Sequence, residues 1–223
     1  GIAQRLIEPM LAVFNQRNVL QAGLFTFPNS PKHHALYQKF GFYPRFLTFI
    51  MEKPIDASSQ PLTNARFSEF DEDQRSQILQ SCFEITNSIY EGLNVSTEIL
   101  SVQTQKLGDT VLLWDNDELV GLAICHCGKG SEAGSDVCYV KFGAVCSGAK
   151  AGEHFEQLLN LCETFGATQQ MSRLSVGVNT SRTDAYQRMM ARRFRTEIVG
   201  IAMHRPNEPG YNRPDAYVLD DWR

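Results

Sequence analysis

The sequence lacks a surplus of charge of either sign. Its 223 residues contain 21 Lys and Arg against 25 Asp and Glu, which gives a formal net charge of -4 and a pI near 5.8. Proteins that bind nucleic acids usually carry a basic surface that neutralises phosphates, and this composition provides no such surplus. We therefore expect no nucleic acid among the partners.

Long apolar runs are also missing. A helix needs about 18 consecutive apolar residues to be a candidate membrane span, and no stretch reaches that length. The first residues do not show the charged, apolar and small segments of a signal peptide. We expect no membrane partner, and a cytoplasmic location is the default prediction.

The cysteines lack the spacing of a disulfide framework. Most lie inside apolar stretches, where reduced core thiols are typical, at Cys82, Cys125, Cys127, Cys138, Cys146 and Cys162. In the segment "CHC", Cys125 and Cys127 share one face of a predicted strand and His126 takes the other. These side chains cannot readily converge on one ion, so no metal is predicted.

Hydrophobic periodicity divides the chain into two parts. The first part, residues 1–55, predicts helix 2–17, strand 23–27, helix 30–40 and strand 45–53. The first helix contains Pro9, which should kink it. Its predicted buried face consists of Leu6, Ile7, Met10, Leu11 and Phe14. Residues 54–64 are rich in Pro, Ser and Asp, and we place a linker at 56–63.

The second part, residues 64–223, predicts an antiparallel sheet flanked by helices. A strand at 65–70 precedes helices that begin at Asp71 and near residue 96, and "DND" at 115–117 marks a hairpin. A third strand completes a meander at 135–145. Then follow helix 152–165 closed by Gly166, strand 173–179, helix 181–192 and strands at 196–205 and 216–221.

The two parts end in similar segments. The first has "ALYQKFGF" followed by "FIMEKP", and the second has "AYQRMMARRF" followed by "IAMHRP". Tyr37 precedes Met51 by 51 − 37 = 14 positions, and Tyr186 precedes Met203 by 203 − 186 = 17. The pattern indicates a duplicated unit of which the first copy lacks its beginning. The alternative is a chance likeness between two α/β segments.

Two motifs resemble the GCN5-related N-acetyltransferase (GNAT) family. Gly1-Ile2-Ala3 matches the last three positions of the family signature "[QR]-x-x-G-x-[GA]". The later family motif, "LYxKxGF" in a helix, matches the segment from Asn29 to Phe42. The resemblance implies an α+β GNAT fold with a mixed, mainly antiparallel sheet flanked by helices. It implies a partial first copy plus a complete, more degenerate second copy. We expect Arg or Gln three positions before Gly1.

The resemblance also implies a cofactor, acetyl-coenzyme A (acetyl-CoA), as acyl donor. Amide groups at a helix N-terminus can bind its pyrophosphate, and small residues let the backbone approach. The alternative at Gly1 is a plain turn into a helix, and the residues before the later helices can also act as caps. The candidate cofactor-binding residues are Gly1, Ile2, Ala3, Gln4, Asn29, Ser30, Gly152 and Asn179.

The candidate catalytic residues are Tyr37 and Tyr186, because the family often uses a tyrosine of the last helix to protonate the leaving thiolate. The alternative for both is aromatic packing, and no general base stands out. The implied activity is transfer of an acetyl group to an amine of a small molecule or peptide. The resemblance also admits a homodimer. The alternative function is a non-catalytic structural or CoA-sensing module.

Overall fold

The computed structural model of the protein describes residues 1–55 and 65–221. The helices are α1 Ile2–Gln16, α2 Pro31–Lys39, α3 Glu72–Ile89, α4 Ser96–Gln105, α5 Ala151–Thr168 and α6 Thr183–Ala191. The strands are β1 Ala22–Thr26, β2 Tyr43–Pro54, β3 Gly108–Asp115, β4 Glu118–Cys127, β5 Val137–Val145, β6 Arg173–Asn179, β7 Arg195–Arg205 and β8 Val218–Leu219. The predicted linker 56–63 lies outside the described residues, and the domain boundaries remain a prediction.

One mixed sheet contains all eight described strands. Its order is β1-β7-β2-β6-β5-β4-β3, and β8 pairs with β5 beside this path. The strands β3, β4 and β5 form the predicted antiparallel meander. Among the described strands, β5 and β6 are the only pair that runs in parallel. The fold class predicted from the sequence, α+β with a mainly antiparallel sheet and flanking helices, is confirmed.

The last strands of the two parts are exchanged within the sheet. Strand β7 lies between β1 and β2, and β2 lies between β7 and β6. The elements α1-β1-α2-β2 and α5-β6-α6-β7 have the same order. Each part therefore supplies a strand that completes the other part's sheet.

The core has two layers of side chains, one on each face of the sheet. On one face α5 packs against the meander and α6 packs against α5 and β6, with Phe155, Leu158 and Met189 fully buried. On the other face α3 and α4 cover Leu112 and Leu122. Successive apolar residues of a strand contribute to the two layers in turn, because they point to opposite faces of the sheet.

Local sequence explains several element boundaries. The Asp71 carboxylate accepts a hydrogen bond from the Gln74 amide at 2.9 Å, which caps α3. Asn116 and Asp117 adopt positive φ angles of 49° and 65°, as a tight turn between β3 and β4 requires. The hairpin predicted around "DND" is confirmed.

The strands β5 and β6 diverge after a short parallel pairing. They are paired from Val137–Val140 to Arg173–Val176, and beyond this point the two strands no longer pair with each other. A crevice opens between them. In α/β folds such crevices at the carboxyl ends of parallel strands are common ligand sites.

Two boundary predictions are wrong. Residues 65–70 form one isolated bridge at Arg66 and a 3-10 helix over Phe67–Glu69 rather than a strand, because the Phe70 and Glu69 amides bond within this turn. Helix α5 does not close at Gly166 and runs to Thr168. A Cβ on Gly166 would lie 2.5 Å from Ile55 Cδ1, so Gly166 instead permits close packing.

The predicted burial of one face of α1 is wrong for two of its five residues, and Leu11 and Phe14 are half-buried. Ile7 is buried, but Leu6 remains 69% exposed and Met10 41% exposed. Helix α1 lies at the β1 end of the sheet, beyond the meander that covers α5. Among the described residues, no helix has both the length and the hydropathy that a bilayer span requires.

Candidate functional site

A cleft of about 570 Å³ lies between the N-terminus of α1 and one side of α2. The helices reach this cleft because each is followed by a strand of the same sheet, β1 after α1 and β2 after α2. The lining residues are Gly1, Ile2, Ala3, Gln4, Lys32, His33, Ala35, Leu36 and Tyr37. The structure thus brings together five residues that the sequence predicted for the site, Gly1, Ile2, Ala3, Gln4 and Tyr37.

The α1 side of the cleft can hold an anion. The amides of Ile2, Ala3 and Gln4 belong to the first helical turn, in which no intrahelical acceptor exists. A Cβ on Gly1 would have no atom of the described residues within 4 Å. The helix dipole favours negative charge here, and Lys32 adds a cation to the wall. The arrangement fits a phosphate group.

The α2 side presents an aromatic wall. The Tyr37 ring lies 6.4 Å from the His33 ring and 6.3 Å from the Phe42 ring, measured between centroids. The Phe27 ring stacks on His33 at 6.4 Å. These contacts hold the half-buried Tyr37 ring, while its hydroxyl forms no hydrogen bond within residues 1–55 and 65–221. The hydroxyl is therefore available to a ligand.

Asn29 and Ser30 are not among the residues that line this cleft. Ser30 is the N-cap of α2, but its side chain forms no capping hydrogen bond. Its carbonyl oxygen accepts from the His33 and His34 amides at 3.1 Å instead, which satisfies the donors that a capping hydroxyl would use. The expectation of a side-chain cap at Ser30 is wrong.

The N-terminus of α5, the counterpart of α1 in the second part, is covered. A Cβ on Gly152 would lie 2.4 Å from Arg188 Nη2 and 2.9 Å from the Tyr217 hydroxyl. A hydrogen bond to Tyr217 raises the pKa of Arg188. Lys150, which precedes the helix, bonds Asp115 at 2.8 Å, and this bond lowers the pKa of Asp115. These side chains occupy the space that a phosphate would need.

Asn179 and Tyr186 serve packing and turn formation in the second part. The buried Asn179 amide donates to Thr48 Oγ1 at 2.9 Å, and its oxygen accepts from the Ser181 amide at 3.1 Å. The Tyr186 ring packs edge-on against Phe49 at 5.6 Å. With Gly152 covered as well, the residues present do not fit acetyl-CoA in this part of the chain.

Solved structures with the same architecture exist, although no family sequence model and no curated protein sequence matches the chain. A proposed acetyltransferase of Pyrococcus horikoshii aligns over 97% of this chain and 64% of its own, with a TM-score of 0.61 and 12% identity. A GCN5-related N-acetyltransferase of Sphaerobacter thermophilus aligns over 94% and 69%, with a TM-score of 0.58 and 13% identity. One of Anabaena variabilis aligns over 91% and 50%, with a TM-score of 0.50 and 14% identity.

This chain has the GNAT fold. At such low identity the likeness concerns the arrangement of helices and strands, not the chemistry. The chain spans less than two thirds of the Pyrococcus protein and half of the Anabaena protein.

A buried polar network of this GNAT-fold chain was missed by the sequence reasoning. The Arg182 guanidinium is fully buried and bonds Asp220 at 2.9 Å, Asn212 at 2.7 Å and the Val218 carbonyl at 2.8 Å. Burial first, and then the Asp220 charge, raise the pKa of Tyr211, which donates to Asp220. An arginine between Ser181 and Thr183 is typical of a solvated turn, so no local signal reveals this burial.

The histidine and cysteine positions on β4 follow the predicted alternation. Cys125 faces α5, where its Sγ lies 4.0 Å from Cys162 Sγ, whereas the His126 ring packs edge-on against Tyr139 at 6.1 Å. All six cysteines are free thiols. Burial lowers the pKa of His126 and raises the pKa of Cys82 to about 12. Within residues 1–55 and 65–221, no group of His, Cys, Asp and Glu side chains could hold a metal ion.

Proposed function

We propose that the chain is part of an N-acyltransferase that moves an acetyl group from acetyl-CoA to an amine of a small molecule or peptide. The observation that carries this proposal is the cleft between α1 and α2. The first turn of α1 and Tyr37 line this one cleft, as the acetyltransferase motifs of the sequence require. The GNAT fold is consistent with this activity.

The residues of the cleft have distinct roles in this proposal. Acetyl-CoA, when bound, supplies an activated acyl thioester. The first-turn amides at Ile2 to Gln4 hold a pyrophosphate, and Lys32 adds attraction at the rim. Tyr37 presents its hydroxyl proton to the departing thiolate, and the contact with His33 orients the ring.

We further propose that the two parts are copies of one unit and that a meander like β3-β5 covers α1 in the complete protein. Ile2, Leu6, Met10 and Val13 form an exposed stripe at helix positions 1, 5, 9 and 12. At the same positions of α5 stand Ala151, Phe155, Leu159 and Cys162, all buried under the meander. Strand β1 has no partner on its outer edge among the described strands, whereas β6 pairs with β5 there.

The sequence encoded upstream of Gly1 tests this duplication. The family signature requires Arg or Gln three positions before Gly1, with three alternating apolar strands ahead of it. A different upstream sequence would contradict the proposal. The alternative is that a second copy of the chain packs against the stripe. Sedimentation velocity of this chain would then show a dimer, and Leu6→Glu would dissociate it.

A matched pair of variants tests the cofactor site. Ala3 and Ala12 are both exposed alanines of α1, the first at the open N-terminus and the second near the other end. Ala3→Glu places a carboxylate where the phosphate would bind. A carboxylate in the first turn also stabilises the helix, by ~0.3 to 1 kcal/mol, because it interacts favourably with the helix dipole. Loss of binding would therefore not reflect unfolding.

The measurement is calorimetric titration of each full-length variant with acetyl-CoA. We expect Ala3→Glu to weaken binding at least about tenfold, which corresponds to about 1.4 kcal/mol. Ala12→Glu should bind as the unchanged chain does. No detectable acetyl-CoA binding by the unchanged chain, or equal binding by both variants, would contradict the assignment of the site.

A second function is favoured by the covered α5 terminus. The second part has the fold but not the open site, which is typical of a structural or CoA-sensing module. Acetyl-CoA binding together with no acetyl transfer to any of a panel of polyamines, amino acids, aminoglycosides and peptides would favour this second function. Transfer to one of them would exclude it.

A further inference from the structure

The crevice between β5 and β6 is filled by the chain itself. We infer that residues 217–221, here called the tail, are the permanent occupant of this crevice and exclude acetyl-CoA from the second part. The inference concerns only the second part, so it stands whether or not the α1-α2 cleft binds the cofactor.

Main-chain hydrogen bonds place the tail between the two strands. On the β5 side Val145 donates from its amide to the Tyr217 carbonyl at 3.3 Å, and β8 is antiparallel to Gly143 and Ala144. On the β6 side the Asp220 amide donates to the Gly177 carbonyl at 3.0 Å. The tail therefore pairs with strand edges that the divergence of β5 and β6 leaves open.

Side chains of the tail close the space on both faces of the sheet. Val218 and Leu219 are fully buried, Leu219 in the cluster under α5 and Val218 in the cluster under α3 and α4. Alternate residues thus contribute to the two cores of the sheet, as an inserted strand would. A ligand entering the crevice would have to displace both.

The buried network fixes the polar end of the tail. Arg182 bonds the Asp220 carboxylate at 2.9 Å and the Val218 carbonyl at 2.8 Å, and Tyr139 donates to Asp221 at 3.0 Å. Removal of the tail would leave the Arg182 charge buried without its counterion, which is strongly unfavourable. This pairing explains why the tail stays in the crevice rather than exchanging with a ligand.

The backbone of β6 fits the tail closely. A Cβ on Gly177 would lie 2.5 Å from Asp221 Cβ and 2.6 Å from the Asp220 carbonyl carbon. The glycine therefore permits main chain to pass where any side chain would exclude it. Arg188 and Tyr217 cover Gly152, where the pyrophosphate of acetyl-CoA would bind. The tail fills the crevice that the remaining arm of acetyl-CoA would need.

Hydrogen exchange of the full chain tests this inference. With the tail in place, the Asp220 amide should exchange at least about a thousandfold slower than an unstructured amide, as buried strand amides do. A saturating concentration of acetyl-CoA should leave the exchange of 217–221 within twofold of that in the free chain. Fast exchange of the free tail, or tenfold faster exchange with acetyl-CoA, would overturn the inference.

An Arg188→Ala variant provides a second measurement. Arg188 is a surface residue that bonds Glu156 at 3.3 Å, so its removal takes away one of the two side chains that cover Gly152, while the tail with Tyr217 remains. We expect this variant to bind no more equivalents of acetyl-CoA than the unchanged chain. A gain of one equivalent would refute the exclusion. Absence of all binding by the unchanged chain would refute the proposed function but leave the exchange result as the test of the tail.

Discussion

Replacing Gly177 by alanine is the most direct perturbation of the tail. The new Cβ would be 2.5 to 2.6 Å from atoms of Asp220 and Asp221, including main-chain atoms that cannot rotate away. Overpacking of a core usually costs about 1 to 3 kcal/mol. If the tail leaves the crevice instead, Arg182 loses its buried partner, and a broken buried pair costs about 3 to 5 kcal/mol. We expect Gly177→Ala to lower the free energy of unfolding by at least about 2 kcal/mol.

Gly143→Ala is the matched control on the facing strand. Its Cβ would meet side-chain atoms of Ala123 and Leu219 at 3.3 Å, which requires a shift of only a few tenths of an ångström. We expect a change below about 1 kcal/mol. Urea denaturation gives both free energies, and hydrogen exchange should show faster exchange of the Asp220 amide only in Gly177→Ala. A Gly177→Ala protein as stable as the unchanged chain, with a protected tail, would refute the reasoning.

Three further predictions follow from the site and the core. Tyr37→Phe should lower kcat for acetyl transfer by about 10²- to 10⁴-fold with acetyl-CoA binding unchanged. The control Tyr43→Phe, at an exposed position, should leave kcat as it is. Equal kcat in both variants would exclude Tyr37 as the acid. Leu159→Ala should destabilise the fold by about 2 to 5 kcal/mol, but Leu6→Ala by less than about 0.5 kcal/mol, and urea denaturation measures both. Burial lowers the folded-state pKa of His126 and His204 from 6.5, so unfolding takes up protons. The contribution of these two residues to stability should be complete above pH 6.5 and fall as the pH drops toward 5. In thermal melts, His126→Gln should weaken this pH dependence.

Periodicity and turn chemistry were sufficient for most elements of the fold. The alternation in β3, β4 and β5 and the "DND" turn predicted the meander, because local preferences and burial point to the same structure there. Residues 65–70 were predicted wrongly, because a short apolar segment fits either a strand or a turn. The apolar stripe of α1 predicted a buried helix, and what covers such a stripe depends on residues far away in the chain.

The sequence by itself determined the candidate residues of the α1-α2 cleft, because its short motifs carry their chemistry in neighbouring positions. Only the tertiary structure decided that Gly1 and Tyr37 line one cleft while Gly152 lies beneath Arg188 and Tyr217. It also decided that Arg182 is buried and that the tail fills the crevice between β5 and β6. These contacts join residues 30 or more positions apart, and sequence periodicity reports only which face a residue takes, not which distant segment covers it.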